Sequence, residues 1–217
     1  MMSELFKDKY RISSARLQKW NYADNGMYFI TICTANRECY FGSIVETQCF
    51  ASPADIPEYE MKLNDVGKKV ESEWLKTPDL RPDMNLELAE YVVMPNHFHG
   101  IILIGDNRYN TSAYNTERSL EPAYLDLAQL DAKHRVSTGA NISDTAKNKF
   151  GEQSKNLSSI IRGFKSSITT YARTNDIEFD WQPRFHDHII TTEKEYFRIA
   201  EYITNNPSNW QKDKFYK

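Results

Sequence analysis

His97-Phe98-His99 places two imidazoles two residues apart. In a strand, positions i and i+2 face the same side, so both rings point one way and Phe98 points the other. Two imidazoles on one face can grip a single divalent cation if a third ligand comes from elsewhere. The pair also fits two hydrogen-bonded histidines on an edge strand. A second spacing stands out: Tyr202 and Asn206 are four residues apart, which puts them on one helical face. A phenol, with a pKa of about 10, becomes a nucleophile when it or its target is activated. A cation that polarises a phosphate oxygen and stabilises the leaving oxygen supplies such activation. Asn206 offers a carbonyl oxygen as third ligand beside the two imidazoles. The alternative is that Tyr202 packs into the core and Asn206 caps the helix before Pro207.

These residues need a scaffold, and the chain spells one out. MYFITICT (27–34), apolar and β-branched after the turn signal Asp24-Asn25-Gly26, predicts a core strand, and YFGSIV predicts a second, short one. Residues 64–77 carry Val66, Val70, Trp74 and Leu75 at helical spacing, with Asn64 able to cap the start. LELAEYVVM (86–94) and HFHGIILI (97–104) read as antiparallel neighbours joined at Pro95-Asn96. NLSSIIRGFKSSITTYARTN (156–175) presents Leu157, Ile160, Ile161, Phe164, Ile168 and Tyr171 as one apolar stripe, with Asn156 or Ser158 as cap. A short strand around 186–191 and a helix over 193–206, closed by Pro207, follow. The order predicts an α+β sandwich with helices against an antiparallel sheet. Residues 106–154, rich in Asn, Ser, Thr and Ala, read as a polar, mobile insertion with a weak helical pattern at 120–130, so the chain is expected to be one domain spanning 1–217.

Composition narrows the classes. The 217 residues are 40% hydrophobic and 26% charged, enough for one sizeable core. The net charge of −3 gives no global footprint for a polyanion, so any nucleic-acid contact must use a local basic patch. Cys33, Cys39 and Cys49 form neither a C-x-x-C motif nor an even-numbered framework and read as reduced thiols. With no apolar signal core and no stretch long enough to span a bilayer, a soluble cytoplasmic protein is expected.

The segment YVVMPNHFHGIILI resembles the His-hydrophobic-His signature of the HUH single-strand endonucleases, in the form found in REP-associated tyrosine transposases. Three further segments fit that family in the same order: YFITICTANRECYFGSIV, IIRGFKSSIT, and WQPRFHDHII followed by EYITNNP. The resemblance covers most of the chain outside 106–154. It implies a ferredoxin-like core with a central antiparallel sheet. His97 and His99 would be metal ligands for Mg²⁺ or Mn²⁺, Asn206 would supply or orient the third ligand, and Tyr202 would be the nucleophile. The implied reaction is transesterification on single-stranded or hairpin DNA, giving a 5′-phosphotyrosine and a free 3′-hydroxyl. A homodimer and a monomer are both compatible with it.

Other residues compete for these roles. Tyr171 and Tyr196 also lie on predicted helices, but Tyr171 falls on the apolar stripe and Tyr196 has Ala200 where Tyr202 has Asn206. His186 and His188 form a second H-x-H; His188 either contacts the phosphate or hydrogen-bonds within the fold, the second being favoured. His134 falls in the insertion and is read as incidental. Arg162, Lys165, Arg173 and Arg184 are the candidates for DNA phosphates, each equally readable as a solvated charge. Trp181 and Phe185 could stack on a base, with core burial the favoured reading. A non-cutting hairpin-binding protein of the same fold and a hydrolase using water in place of Tyr202 are the rival functions.

Overall fold

The computed structural model describes residues 21–47, 58–111 and 154–216. The N-terminal arm and residues 112–153 of the expected insertion lie outside the described residues. Strand β1 (Gly26–Cys33) is followed by a hairpin of β2 (Gly42–Thr47) and β3 (Glu58–Leu63), then helix α1 (Asp65–Leu75). Next come β4 (Leu86–Met94), β5 (His97–Ile104), α2 (Leu157–Thr174), β6 (His186–Ile190), α3 (Glu193–Thr204) and a 3₁₀ segment, Pro207–Lys212. The main sheet has the order β4-β5-β1-β6. Every neighbouring pair is antiparallel. With β2 and β3 set aside as a separate two-stranded sheet, the remaining order is β-α-β-β-α-β, the ferredoxin-like arrangement. The expected α+β sandwich is the observed fold. Strand β3 was not expected, although EYEMKL alternates polar and apolar residues at the strand period of two.

Local chemistry sets the element ends. The Asn64 side chain accepts from the Gly67 amide at the start of α1. Asn156 and Ser159 form a reciprocal capping box on α2. Thr192 caps α3, whose first turn carries Glu193 and Glu195 against the helix dipole.

The sheet is covered on both faces. On one, Tyr28, Ile30 and Ile32 of β1 and Phe98 and Ile102 of β5 pack against Val66, Val70 and Trp74 of α1 and Ile160, Ile161 and Phe164 of α2. Phe98 lies 4.7 Å from Trp74 and 5.5 Å from Phe164, ring centre to ring centre. Glu73 joins the two helices across this layer, accepting from Lys69 at 2.7 Å and Ser167 at 2.6 Å. On the other face a smaller cluster, Ile101, Ile190, Ile199 and Ile203, holds α3. A third cluster of Met94, Trp210 and Phe215 pins the C-terminal segment to one end of the sheet. No helix among the described residues is long and apolar enough to cross a membrane.

Helix α1 sits so close to the chain after β1 that a Cβ on Gly67 would overlap the Phe41 carbonyl oxygen. Gly→Ala inside a helix ordinarily stabilises by about 0.5–1 kcal/mol. Here backbone overlap reverses the sign. Gly67→Ala is expected to lower stability by about 1–3 kcal/mol, read as a reduced urea midpoint at unchanged m-value.

Candidate active site

Met94 pairs with His97, so Pro95 and Asn96 form a two-residue turn that places Asn96 directly before the first histidine. Asn96 is fully buried. Its Nδ2 donates to the carbonyls of Arg37 at 3.0 Å and Phe215 at 2.9 Å. Carbonyls only accept, so this nitrogen is fixed as the amide NH₂, and the amide oxygen must face His97. His97 Nδ1 lies 2.9 Å from that oxygen and therefore carries the proton. The other ring nitrogen, Nε2, is left with a bare lone pair and is buried without a hydrogen-bond partner.

His99 occupies the same face of β5 one pleat further on, its ring 4.5 Å from that of His97. Its Nδ1 is 2.9 Å from Thr31 Oγ1 on β1, and its Nε2 is 3.2 Å from the Tyr202 hydroxyl. Phe29 stacks on the ring at 5.2 Å. The imidazoles are 0% and 1% exposed, whereas Tyr202 is 39% exposed, so the phenol alone of the three reaches the surface. Burial, then the positive charge of Lys214, pushes His99 down to about 3. Burial and the neighbouring His99 push His97 well below the usual histidine range. Both rings are neutral, the form in which imidazole binds metal.

Tyr202 lies in the last turn of α3, which ends at Thr204 rather than at the expected 206, and Asn206 follows at the start of the 3₁₀ segment; a third residue joins them. Asp213 Oδ2 lies 3.3 Å from the Tyr202 hydroxyl and 3.4 Å from Asn206 Nδ2, both of which can donate to it. Its Oδ1 accepts from the Phe215 amide at 2.7 Å, an Asx turn that aims the carboxylate. His97, His99 and Asp213 each bring one ligand atom to within 4.8 Å of the others. Donors of one divalent ion stand about 3–3.5 Å apart, so this group could hold one after a shift of about 1–2 Å. Two of the three buried, unpartnered side-chain atoms among the described residues, His97 Nε2 and Asn206 Oδ1, belong to this neighbourhood. Both are lone-pair donors of the type a cation takes. Asp213 was not picked out from the sequence. The signal available was that it is the sole carboxylate after Glu201. Burial, then the charge of Asp213, raises Tyr202 above the usual phenol value, so it rests protonated.

The other candidates disperse. Tyr196 donates to Glu90, and Tyr171 lies under the Lys69 ammonium at 5.6 Å; neither is in the His97–Tyr202 network. His188 bonds Glu195 at 2.6 Å. Lys165 donates to the Gln182 and Arg184 carbonyls at 2.8 and 3.0 Å, which engages its ammonium inside the fold. Trp181 is buried in the main core, with Phe185 packed against it. Arg162 and Arg173 are exposed on α2, whereas Arg184 lines a cleft beside His186 and Phe215. His134 lies outside the described residues.

Two outcomes follow from this geometry. Asn96→Ala strands the His97 N–H and two carbonyls and is expected to cost about 2–4 kcal/mol in chemical denaturation. In the fraction that stays folded, Mn²⁺ affinity, read by quenching of tryptophan fluorescence, should weaken by about tenfold or more. The second outcome concerns acid. A histidine whose folded pKa is depressed takes up its proton only in the unfolded chain, so stability falls as pH drops through about 6.5. With chelator present, denaturation between about pH 6.5 and 4.5 should show a slope approaching two protons, falling towards one in His99→Gln. A flat profile would contradict the buried, neutral pair.

No family model matches the chain. Among solved structures it is similar to the REP-associated tyrosine transposase bound to a REP hairpin, at 18% identity and a TM-score of 0.46 over 92% of this chain and 74% of that one. It is also similar to a candidate transposase from Deinococcus radiodurans, at 12% identity and a TM-score of 0.32 over 88% of this chain and 97% of that one. In sequence it is 37% identical to an uncharacterized protein of Haemophilus influenzae over 204 residues, 94% of this chain and 92% of that protein. The chain therefore belongs to the same protein family as the Haemophilus influenzae protein.

Proposed function

We propose that this chain is a metal-dependent endonuclease and strand transferase for single-stranded DNA, of the REP-associated tyrosine transposase type, acting on hairpin-forming sequences. One observation carries the reading: the Tyr202 hydroxyl lies 3.2 Å from His99 Nε2 and 3.3 Å from Asp213 Oδ2, at the edge of the His97–His99–Asp213 group. A nucleophile and a set of cation ligands thus share one site. The four ordered sequence segments point to the same chemistry.

His97, His99 and Asp213 would hold the ion, with the Asn206 carbonyl oxygen as a further donor; the carboxylate and amide oxygens suit Mg²⁺ or Mn²⁺, and the two imidazoles favour Mn²⁺ of the pair. Such an ion supplies Lewis-acid polarisation of the phosphate and stabilisation of the departing oxygen. The chain's own residues do the rest. Asp213 Oδ2 accepts the Tyr202 proton, which a phenol held above its ordinary pKa does not lose unaided. The phenolate oxygen bonds to phosphorus, and the P–O3′ bond breaks. The 3′ oxygen leaves as a hydroxyl, taking up the proton that Asp213 received, and the 5′ phosphate stays on Tyr202. Because a phosphodiester is exchanged for a phosphodiester, the strand can be rejoined without a nucleotide cofactor.

A second reading, a hairpin-binding protein that does not cut, draws on the covering of both imidazoles by Phe215, whose ring centre is 4.5 Å from that of His97 and 6.0 Å from that of His99. Labelled hairpin DNA with Mn²⁺, followed by denaturing electrophoresis, separates the readings. Strand transfer requires a labelled protein band that disappears in Tyr202→Phe while DNA affinity changes less than about twofold, since only one oxygen is lost. Cleavage without an adduct would point to attack by water. Binding without cleavage across a varied hairpin library would establish the non-cutting protein.

A further inference from the structure

Beside the candidate active site runs a second cleft, of about 650 Å³, between the chain after β1, the loop before β6 and the C-terminal segment. Its charged lining consists of Arg37, Arg184 and Lys214, with His186 beside them and no carboxylate. By contrast, the cleft over Tyr202 mixes Arg198, Lys212 and Lys214 with Glu201 and Asp213. None of Arg37, Arg184 and Lys214 forms an ion pair with a carboxylate among the described residues.

Two of the cations are held by side-chain contacts, and the third by its backbone. Arg37 Nη1 donates to the Lys214 carbonyl at 2.9 Å. The Arg37 guanidinium and the Lys214 ammonium both lie over the Phe215 ring, at 5.3 and 4.8 Å. The Arg184 carbonyl is tied to Lys165 at 3.0 Å. Arg37 and Arg184 are both in the left-handed region, at φ 58° and 71°. For a residue with a side chain this conformation is strained and persists only where the surroundings impose it. Two strained arginines thus converge on one acid-free cleft. Phe215 forms the partition, lining the cleft while packing on His97 and His99.

We propose that this cleft is the track for the single-stranded DNA segment flanking the cleaved bond, with Arg37, Arg184 and Lys214 on successive phosphates. The proposal rests on the strand-transfer reading for its substrate and adds the path that the strand takes. Fixed cations with an aromatic ring between them are the features that bind unpaired strands with little regard to sequence. The track also accounts for how an acidic chain can hold a polyanion: three cations line it with no carboxylate among the lining residues.

The test is equilibrium binding of a fluorescent oligothymidine of about 12 nucleotides to the full chain, by anisotropy in EDTA over a range of salt. Arg184→Asn with Lys214→Gln removes two charges, and asparagine tolerates the left-handed backbone at 184. The expected result is a loss of about tenfold or more, with the salt slope reduced by about 0.7 per charge removed. Lys68→Gln with Lys76→Gln, which removes the same charge from the α1 side, should leave both unchanged. The track is overturned if the Arg184/Lys214 variant binds like wild type or the control pair loses as much. It is equally overturned if a duplex of the same length binds as tightly, or if wild type does not bind the oligonucleotide. The electrophoretic adduct assay is scored separately. An adduct without dependence on Arg184 and Lys214 removes the track and keeps strand transfer, whereas track-dependent binding without an adduct does the reverse.

Discussion

The structure of the site depends on one buried amide. Asn96 uses both Nδ2 hydrogens on main-chain carbonyls from distant segments, Arg37 and Phe215, and its oxygen on His97. Its own carbonyl accepts from the Thr34 amide at 3.0 Å and the Thr34 hydroxyl at 2.9 Å. A buried polar group that is fully satisfied acts as a rigid joint, and one left unsatisfied is costly, so the arrangement is close to all-or-none. Through this joint the β4–β5 turn, the chain after β1 and the C-terminal segment are held to one geometry. The tautomer of His97 follows from it.

The rest of the site inherits that order. With Phe215 held by Asn96, the Asp213 carboxylate, tied to the Phe215 amide, is brought to Tyr202 on α3 and to Asn206 just beyond it. The helix is placed independently by its apolar face against Ile101 and Ile190. The functional groups therefore come from a strand, a helix and a terminal segment, each fixed by a different force: sheet register, hydrophobic packing, and one amide's hydrogen bonds. Rigid elements carry the imidazoles and the phenol, which favours a preorganised site over one assembled from loops.

Much of this was legible in the sequence, for identifiable reasons. The strand pair flanking Met94-Pro95-Asn96, the Asn64 and Asn156 caps and the stripe on α2 are local signals, and local periodicity survives into the fold. The shared face of His97 and His99 follows from strand geometry alone. What could not be read was long-range. Asp213 reaches Tyr202 across 11 residues through a 3₁₀ segment and an Asx turn, neither of which has a hydrophobic period. Lys165, readable from the sequence as a DNA-phosphate candidate or a solvated charge, also ties down the 182–184 loop, a contact set by tertiary packing. Arg37 and Lys214 had no helical or strand pattern to mark them, and only folding brings them to one cleft.

Electrostatics explains why these parts belong together. The candidate ligand set combines two neutral imidazoles with a single carboxylate, so the protein would contribute about one negative charge to a divalent ion held there and leave it a net positive field for a phosphate. Burial, and then the Asp213 carboxylate 3.3 Å from the Tyr202 hydroxyl, holds the phenol protonated. An exposed phenolate would be an indiscriminate nucleophile, whereas a phenol beside an acceptor is silent until positive charge arrives. Lys214 is placed to matter on both sides of the Phe215 partition. It borders the Tyr202 cleft and the basic cleft alike, and its charge adds to the burial that keeps both imidazoles neutral. Lys214 thus contributes both to the cations that would receive the strand and to the neutrality that would receive the ion.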